Sequence, residues 1–293
     1  MLRRLLDSLA QCGPPFAEAI VVGNGTDAAT EAVVGGAGFS CRYLPLAEEL
    51  GQGPGMIAGL RAALLNAATT HCLVLDDDAV VPPGSVAILV EEMAKHGAGC
   101  VVPLIENEDG RIGWFPGVTD PERWRVLRGA GLRRDDYLAR CGEAPVAFTW
   151  APWPFLLVAR HAVEAVGLPR PDFGFGGDDL EWTLRLSARG PALLVPRARG
   201  WHWPPPRLRG PEAYDIDCLQ LQNLGMLAGH LPHGRRARRH LPGSFWRFLR
   251  KWGVTPAVSL DAARAAWHGV VCGRPAGARG GDVFWRRFVA HRR

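Results

Sequence analysis

The chain has 293 residues, 47% of them hydrophobic and 22% charged, with a formal net charge of +5. This is the balance of a globular protein with ample material for a core, and no run of 18 or more apolar residues suggests a membrane-spanning helix. The seven cysteines are scattered and never form a C-x-x-C pair, which argues against a zinc site or a disulfide framework and for reduced, mostly buried thiols.

Leu2–Ala10 (LRRLLDSLA) reads as an amphipathic helix. Asp7 interrupts the apolar stretch that a secretion signal needs, so the expected location is cytoplasmic. Short apolar runs at Ala19–Val22, Cys41–Leu44, Cys72–Leu75, Gly99–Leu104, Phe155–Val158 and Leu193–Val195 predict strands. Between them, Gly55–Ala68 places Ile57, Leu60, Leu64 and Leu65 on one helical face. Ser85 can cap a helix reaching His96, after the Pro82–Pro83 turn. Arg160–Val166 and Leu180–Ala188 are further helices. Strands alternating with helices predict an α/β fold with a doubly wound, mostly parallel sheet, whose ligands bind at the carboxyl ends of the strands. Glu106–Glu143 lacks clear periodicity and reads as a long excursion from that sheet. The body is expected to close near residue 205, in the Trp203-Pro204-Pro205-Pro206 break. That gives a catalytic domain over 1–205 and a basic, helical C-terminal extension over 206–293, with helices at Pro211–Leu231 and Leu260–Cys272.

Charge is divided unevenly. From Trp201 onward there are 16 Lys+Arg against 5 Asp+Glu, and the first 200 residues hold 18 against 24. Residues 235–252 interleave arginines with aromatics. They could lie on the anionic inner face of a membrane, bind an anionic partner, or form a solvated helix face. No nucleic-acid partner is expected.

The sharpest local feature is Leu75-Asp76-Asp77-Asp78-Ala79, an apolar strand ending in three consecutive carboxylates. Like charges so close repel, more so where water is excluded, and a hard cation such as Mn²⁺ or Mg²⁺, shared with phosphate, removes the cost. Strand alternation would point Asp76 and Asp78 one way and Asp77 the other. The plainer reading is an acidic turn before a helix. A second cluster, Gly176-Gly177-Asp178-Asp179-Leu180-Glu181, is either a helix cap or a general base on a glycine-rich loop. In Trp201-His202-Trp203, the histidine is either structural or a nitrogen ligand that would tip an oxygen-rich site toward Mn²⁺.

Taken in order, these motifs resemble the family 2 inverting glycosyltransferases of GT-A fold, closest in pattern to the galactofuranosyl- and rhamnosyltransferase-like branch. The likeness rests on IVVGNGT (20–26), GPGMIAGL (53–60), LDDDA (75–79), GDDLE (177–181) and His202, with weaker matches at Gln222-Asn223 and 262–273. It implies transfer of a sugar from a nucleotide-diphosphate donor, UDP favoured, to a glycan, lipid-linked or small-molecule acceptor. Asp76, Asp78 and His202 would bind the metal. Asn24, Gly53, Gly55, Asp76 and Asp77 would line the donor site. Asp179 would be the base, with Asp178 and Glu181 beside it. Trp150, Trp153 and Trp182 are either sugar-stacking faces or core residues. Two features depart from the family pattern: the usual first strand is missing ahead of Leu2, either because the recorded start lies downstream of the true one or because another segment fills the slot, and Gly23 stands where an acid commonly contacts the base. They keep open a degenerate, non-catalytic sugar- or nucleotide-binding homologue. A haloacid-dehalogenase-type phosphatase, which D-x-D-x-[TV] at Asp76–Val80 would also fit, lacks a suitably spaced lysine.

Overall fold

A computed structural model describes residues 1–12, 16–119, 126–127, 129–173, 176–203, 209–230 and 234–272. In chain order the elements are α1 (Leu2–Gln11), β1 (Ala19–Gly23), α2 (Ala28–Gly35), β2 (Cys41–Pro45), α3 (Gln52–Leu64), β3 (His71–Leu75) and β4 (Ala79–Val80). Next come α4 (Ser85–His96), β5 (Cys100–Glu106), β6 (Ile112–Trp114), β7 (Val118–Thr119), β8 (Val126–Leu127), α5 (Arg134–Cys141) and β9 (Val146–Ala147). The chain continues through β10 (Phe155–Ala159), α6 (Arg160–Val166), α7 (Asp178–Ser187), β11 (Ala192–His202), α8 (Gly210–His230), α9 (Gly234–Trp252) and α10 (Pro256–Trp267), and then a π-helical turn at His268–Cys272. Two compact units divide it. The first is Met1–Leu46, Ala58–Leu168 and Trp182–Pro205; the second is Ala47–Ile57, Pro169–Glu181 and Pro206–Arg293.

The first unit is built on a mixed sheet of order β3-β10-β5-β11-β4, with β6 paired to β5 and β9 to β11. The α/β class expected from the sequence is found, with a central sheet and flanking helices. Strand direction is where the expectation needs correcting. Within this sheet β5 and β11 run parallel, while β10 pairs antiparallel with both β3 and β5, and β4, β6 and β9 are antiparallel too. An apolar run reports burial on both faces and carries no information on direction. Direction is set by how the connections return, and the excursion before β10 brings it back reversed. β5 and β10 are buried at every position and form the centre of the core.

β1 and β2 pair parallel in a two-stranded sheet of their own, and among the described residues no strand precedes Ala19. At α4 the cap position falls on Gly84 rather than Ser85. The Ser85 hydroxyl instead accepts the Arg199 N–H at 3.3 Å, tying α4 to β11. The excursion after β5 is partly regular: β6 folds back on β5, pairing Trp114 with Ile105, and α5 buries Tyr137.

The second unit holds α8, α9 and α10. Ile216, Leu219, Phe248, Leu249, Ala262 and Ala265 form its helical core, with Tyr214, Phe245 and Trp252 half-buried against it. Several aromatics of the 235–252 segment are therefore spent on packing, while Trp246 stays 61% exposed. Among the described residues no helix is long and apolar enough to cross a membrane.

Candidate metal centre and carboxylate helix

β3 ends at Leu75, and the three aspartates that follow make a turn rather than more strand. The Ala79 N–H donates to the Asp76 carbonyl at 3.1 Å, and the Asp76 N–H donates to Pro154 O at 3.3 Å. β4 then pairs with the end of β11, placing Ala79 opposite His202 and Val80 opposite Trp201, and the Trp203 N–H donates to Asp78 O at 3.1 Å. The two-residue strand clamps the acidic turn onto the last residues of β11. His202 Nε2 lies 2.8 Å from Asp78 Oδ1 and 3.5 Å from Asp76 Oδ2. Asp77 is exposed. The expected pairing of Asp76 with Asp78 holds, but it is turn geometry that makes them converge.

The electrostatics follow from this enclosure. The His202 side chain is only 4% exposed. Burial alone would lower its pKa, yet hydrogen bonds and charge from Asp76 and Asp78 outweigh burial and push it up to about 9. Asp77 keeps its surface in solvent, yet the protein packed around the turn strips part of its hydration, and that, followed by the Asp78 and Asp76 charges, pushes its carboxyl up. The cluster thus calls for a positive charge, and a proton on His202 supplies one. One oxygen each from Asp76 and Asp78 and one His202 nitrogen lie within 4.8 Å of one another. Two carboxylates and an imidazole are a donor set suited to Mn²⁺, or to Mg²⁺ with more oxygen ligands, so the residues fit the ion the resemblance implies.

Alternation along β11 puts Trp201 and Trp203 on the face opposite His202. Their rings stack 6.0 Å apart, the Arg4 guanidinium sits 3.5 Å from the Trp203 ring centre, and Arg199 sits 5.4 Å from that of Trp201. This array fixes the strand end that carries the histidine. Trp114 of β6 meets the His202 ring edge-on at 5.4 Å. The sequence reading missed Trp114. It stands in a stretch without periodicity, and only the fold-back of β6 brings it here.

In the first unit Asn24 is exposed just after β1. The neighbouring Gly23 has a steric reason to be glycine: a Cβ there would lie 2.8 Å from Tyr43 Cε2. The Tyr43 hydroxyl accepts the Asp27 N–H at 3.1 Å and donates to Gly25 O at 3.3 Å, so its ring fills the space an acidic side chain would need.

Gly53, Gly55, Asp178, Asp179 and Glu181 belong to the second unit. Gly53 and Gly55 are buried at the start of α3, Gly53 against the Phe173 backbone carbonyl. Asp178, Asp179 and Glu181 form the first turn of α7. Gly176 and Gly177 lead into it at φ +77° and +86°, a left-handed conformation that side chains resist. The buried Asn223 amide donates to Gly176 O at 2.5 Å, so one member of a pair that resembled the family only weakly in sequence ties down this glycine, while Gln222 bonds His268 at 3.0 Å. Asp178 and Glu181 are 2% and 0% exposed, and Glu181 accepts the Arg170 N–H at 3.4 Å. Asp179 is half-buried, its carboxylate accepting the Leu180 N–H at 2.7 Å, and of the three it keeps the most access to solvent.

The three tryptophans separate cleanly. Trp153 and Trp182 are 2% and 0% exposed and pack edge to face at 6.1 Å, with Trp182 Nε1 donating to Gly167 O at 2.9 Å. They are core residues, and the expectation that they stack on sugar is corrected: neither ring face is accessible. Trp150, 37% exposed, remains available.

The family model for glycosyl transferase family 2 matches residues 1–148. Solved structures of similar fold include GalNAc-T7 with UDP, GalNAc and Mn²⁺, at TM-score 0.54 and 15% identity over 88% of this chain and 50% of that one. S. aureus TarS 1–349 aligns at TM-score 0.55 and 16% identity, over 92% of this chain and 78% of that one. Its complex with UDP-GlcNAc aligns at 0.55 and 15%, over 92% and 77%. The likeness at these identities is one of fold, and the chain spans half the length of the GalNAc-T7 chain. No curated protein matches the sequence.

Proposed function

The chain belongs to glycosyl transferase family 2, and from that premise we propose that it moves a sugar from a nucleoside-diphosphate donor to an acceptor hydroxyl, with inversion at the anomeric carbon. The observation that carries this reading is the convergence of Asp76, Asp78 and His202. Those residues would hold Mn²⁺ or Mg²⁺. When bound, such an ion neutralises charge on the leaving diphosphate as a Lewis acid. The GalNAc-T7 structure with UDP and Mn²⁺ supports the pairing of metal with nucleotide on this fold.

Asp179 is the proposed base, taking the proton from the acceptor hydroxyl as it attacks. It is the most accessible carboxylate of its turn, and the left-handed glycines and Asn223 hold the loop before it. Buried Asp178 and Glu181 set the backbone around it. Asn24, Gly53, Gly55 and Asp77 are the proposed donor contacts, with UDP as the favoured nucleotide. The galactofuranosyl- and rhamnosyltransferase-like branch is the narrower placement we favour, because a histidine joins the two aspartates. The acceptor is a hydroxyl of a glycan, a lipid-linked sugar or a small molecule.

A thermal-shift panel of UDP, GDP and dTDP, each with and without Mn²⁺, tests this reading, because a ligand that binds only the native state raises its stability by mass action. A metal-dependent rise in Tm with at least one nucleotide is expected, together with slow release of nucleoside diphosphate from the matching donor. No shift and no release from any donor overturns it.

A further inference from the structure

We propose that Trp114 is a sugar-binding face of this site, stacking its indole on the C–H face of the sugar carried by the nucleotide. The inference rests on the proposed function and adds the residue that would recognise the sugar.

Trp114 and Trp150 are the exposed tryptophans among the described residues of the first unit, at 40% and 37%. The same unit buries Trp153 and Trp182 almost completely, so it has room for indoles in its core. Trp114 stays out because β6 holds it: its backbone pairs with Ile105, the Ile112 N–H donates to Leu132 O at 2.8 Å, and past its far end the Gly117 N–H donates to Trp150 O at 2.8 Å. The backbone beneath the exposed ring is therefore held, and the edge-on contact with His202 limits the ring's rotamers, which reduces the entropy lost on binding. One side of it already touches the centre, meeting the His202 ring at 5.4 Å and 83°. A donor whose diphosphate sat at Asp76, Asp78 and His202 would carry its sugar one bond beyond the outer phosphate, within reach of this indole, and comparing sugar nucleotide with nucleoside diphosphate separates the sugar from the ribose at the other end. Sugars present a patch of C–H groups on one ring face, and an aromatic plane is the side chain that matches it.

The test uses the whole protein labelled with 5-fluorotryptophan, with the Trp114 ¹⁹F resonance assigned from Trp114→Phe. Mn²⁺ alone should broaden that resonance, because the ring abuts a proposed ligand. With Mg²⁺, it should move on addition of UDP-GlcNAc, UDP-galactose or dTDP-rhamnose but not of UDP or dTDP. Trp114→Ala should weaken binding of the sugar nucleotide about three- to tenfold while leaving nucleoside-diphosphate affinity in place. If Mn²⁺ broadens Trp114 and a sugar nucleotide binds by calorimetry, yet the resonance stays still and the variant binds normally, the inference fails and the metal reading stands. If Mn²⁺ leaves Trp114 sharp, the metal centre itself is refuted. If no sugar nucleotide binds, the donor site is refuted, and the inference falls with it in either case.

Discussion

His202 Nε2 faces both carboxylates of the acidic turn, 2.8 Å from Asp78 Oδ1 and 3.5 Å from Asp76 Oδ2, and holds its proton up to about pH 9. That proton and a metal ion compete for the same nitrogen. Mn²⁺ binding is therefore expected to release close to one proton at pH 7.5, and its affinity should climb from pH 6 toward pH 9. Calorimetry in buffers of different ionisation enthalpy measures the release, and a buffer-independent enthalpy would contradict the arrangement. In chelator the sign reverses. The pKa is raised above the ordinary 6.5, so the histidine's contribution to stability is complete below pH 6.5 and is lost as pH rises through about 9. Tm in EDTA should fall over that window in the wild type and less so in His202→Asn.

Removing one partner of the cluster leaves the rest in conflict. His202→Ala takes away the positive charge that Asp76 and Asp78 share. It should cost about 1–3 kcal/mol in urea unfolding with chelator present and lower Mn²⁺ affinity at least tenfold. Asp78→Asn should lower metal affinity similarly with a smaller loss of stability, since a neutral amide beside His202 repels nothing.

Gly23→Asp introduces the acid that the resemblance implies at this position, and tighter nucleotide binding is the naive expectation. The Tyr43 ring already occupies that space. The substitution should instead destabilise by about 1–3 kcal/mol through overpacking and leave UDP affinity no better. The double variant with Tyr43→Ala should recover part of the loss, which urea unfolding of the pair would show.

The turn before α7 depends on two residues of the second unit far apart in sequence. Asn223→Ala removes the bond to Gly176 O, and Gly177→Ala forces a side chain into φ +86°. Each should lower stability by about 1–2 kcal/mol. Each should also reduce kcat by an order of magnitude or more while nucleotide-dependent thermal shifts persist. Loss of nucleotide binding along with turnover would place this loop in the donor site instead.

Asp179→Asn should reduce turnover about 10²–10⁴-fold with little change in Tm, the pattern of a lost general base. Asp178→Asn and Glu181→Gln act on groups 2% and 0% exposed, and should shift Tm as well as rate. A half-active Asp179→Asn with an inactive, well-folded Asp178→Asn would move the base to Asp178.

Much of this was legible along the chain. The helices α4 and α6 span the residues the sequence predicts, although the α4 cap falls on Gly84, and the acidic turn after β3 stands out because three adjacent carboxylates directly after an apolar run repel one another unless a positive charge is shared. Local chemistry of this kind survives in the order of residues. The direction of β10, the nearness of Trp114 to His202, the burial of Trp153 and Trp182, and the occupation of Gly23's space by Tyr43 do not. Each depends on which distant segments meet, and a tryptophan looks the same in sequence whether its ring ends in a core or at a surface. Tertiary structure decided those, because burial and direction are settled by what packs against a residue and by how the chain returns to it.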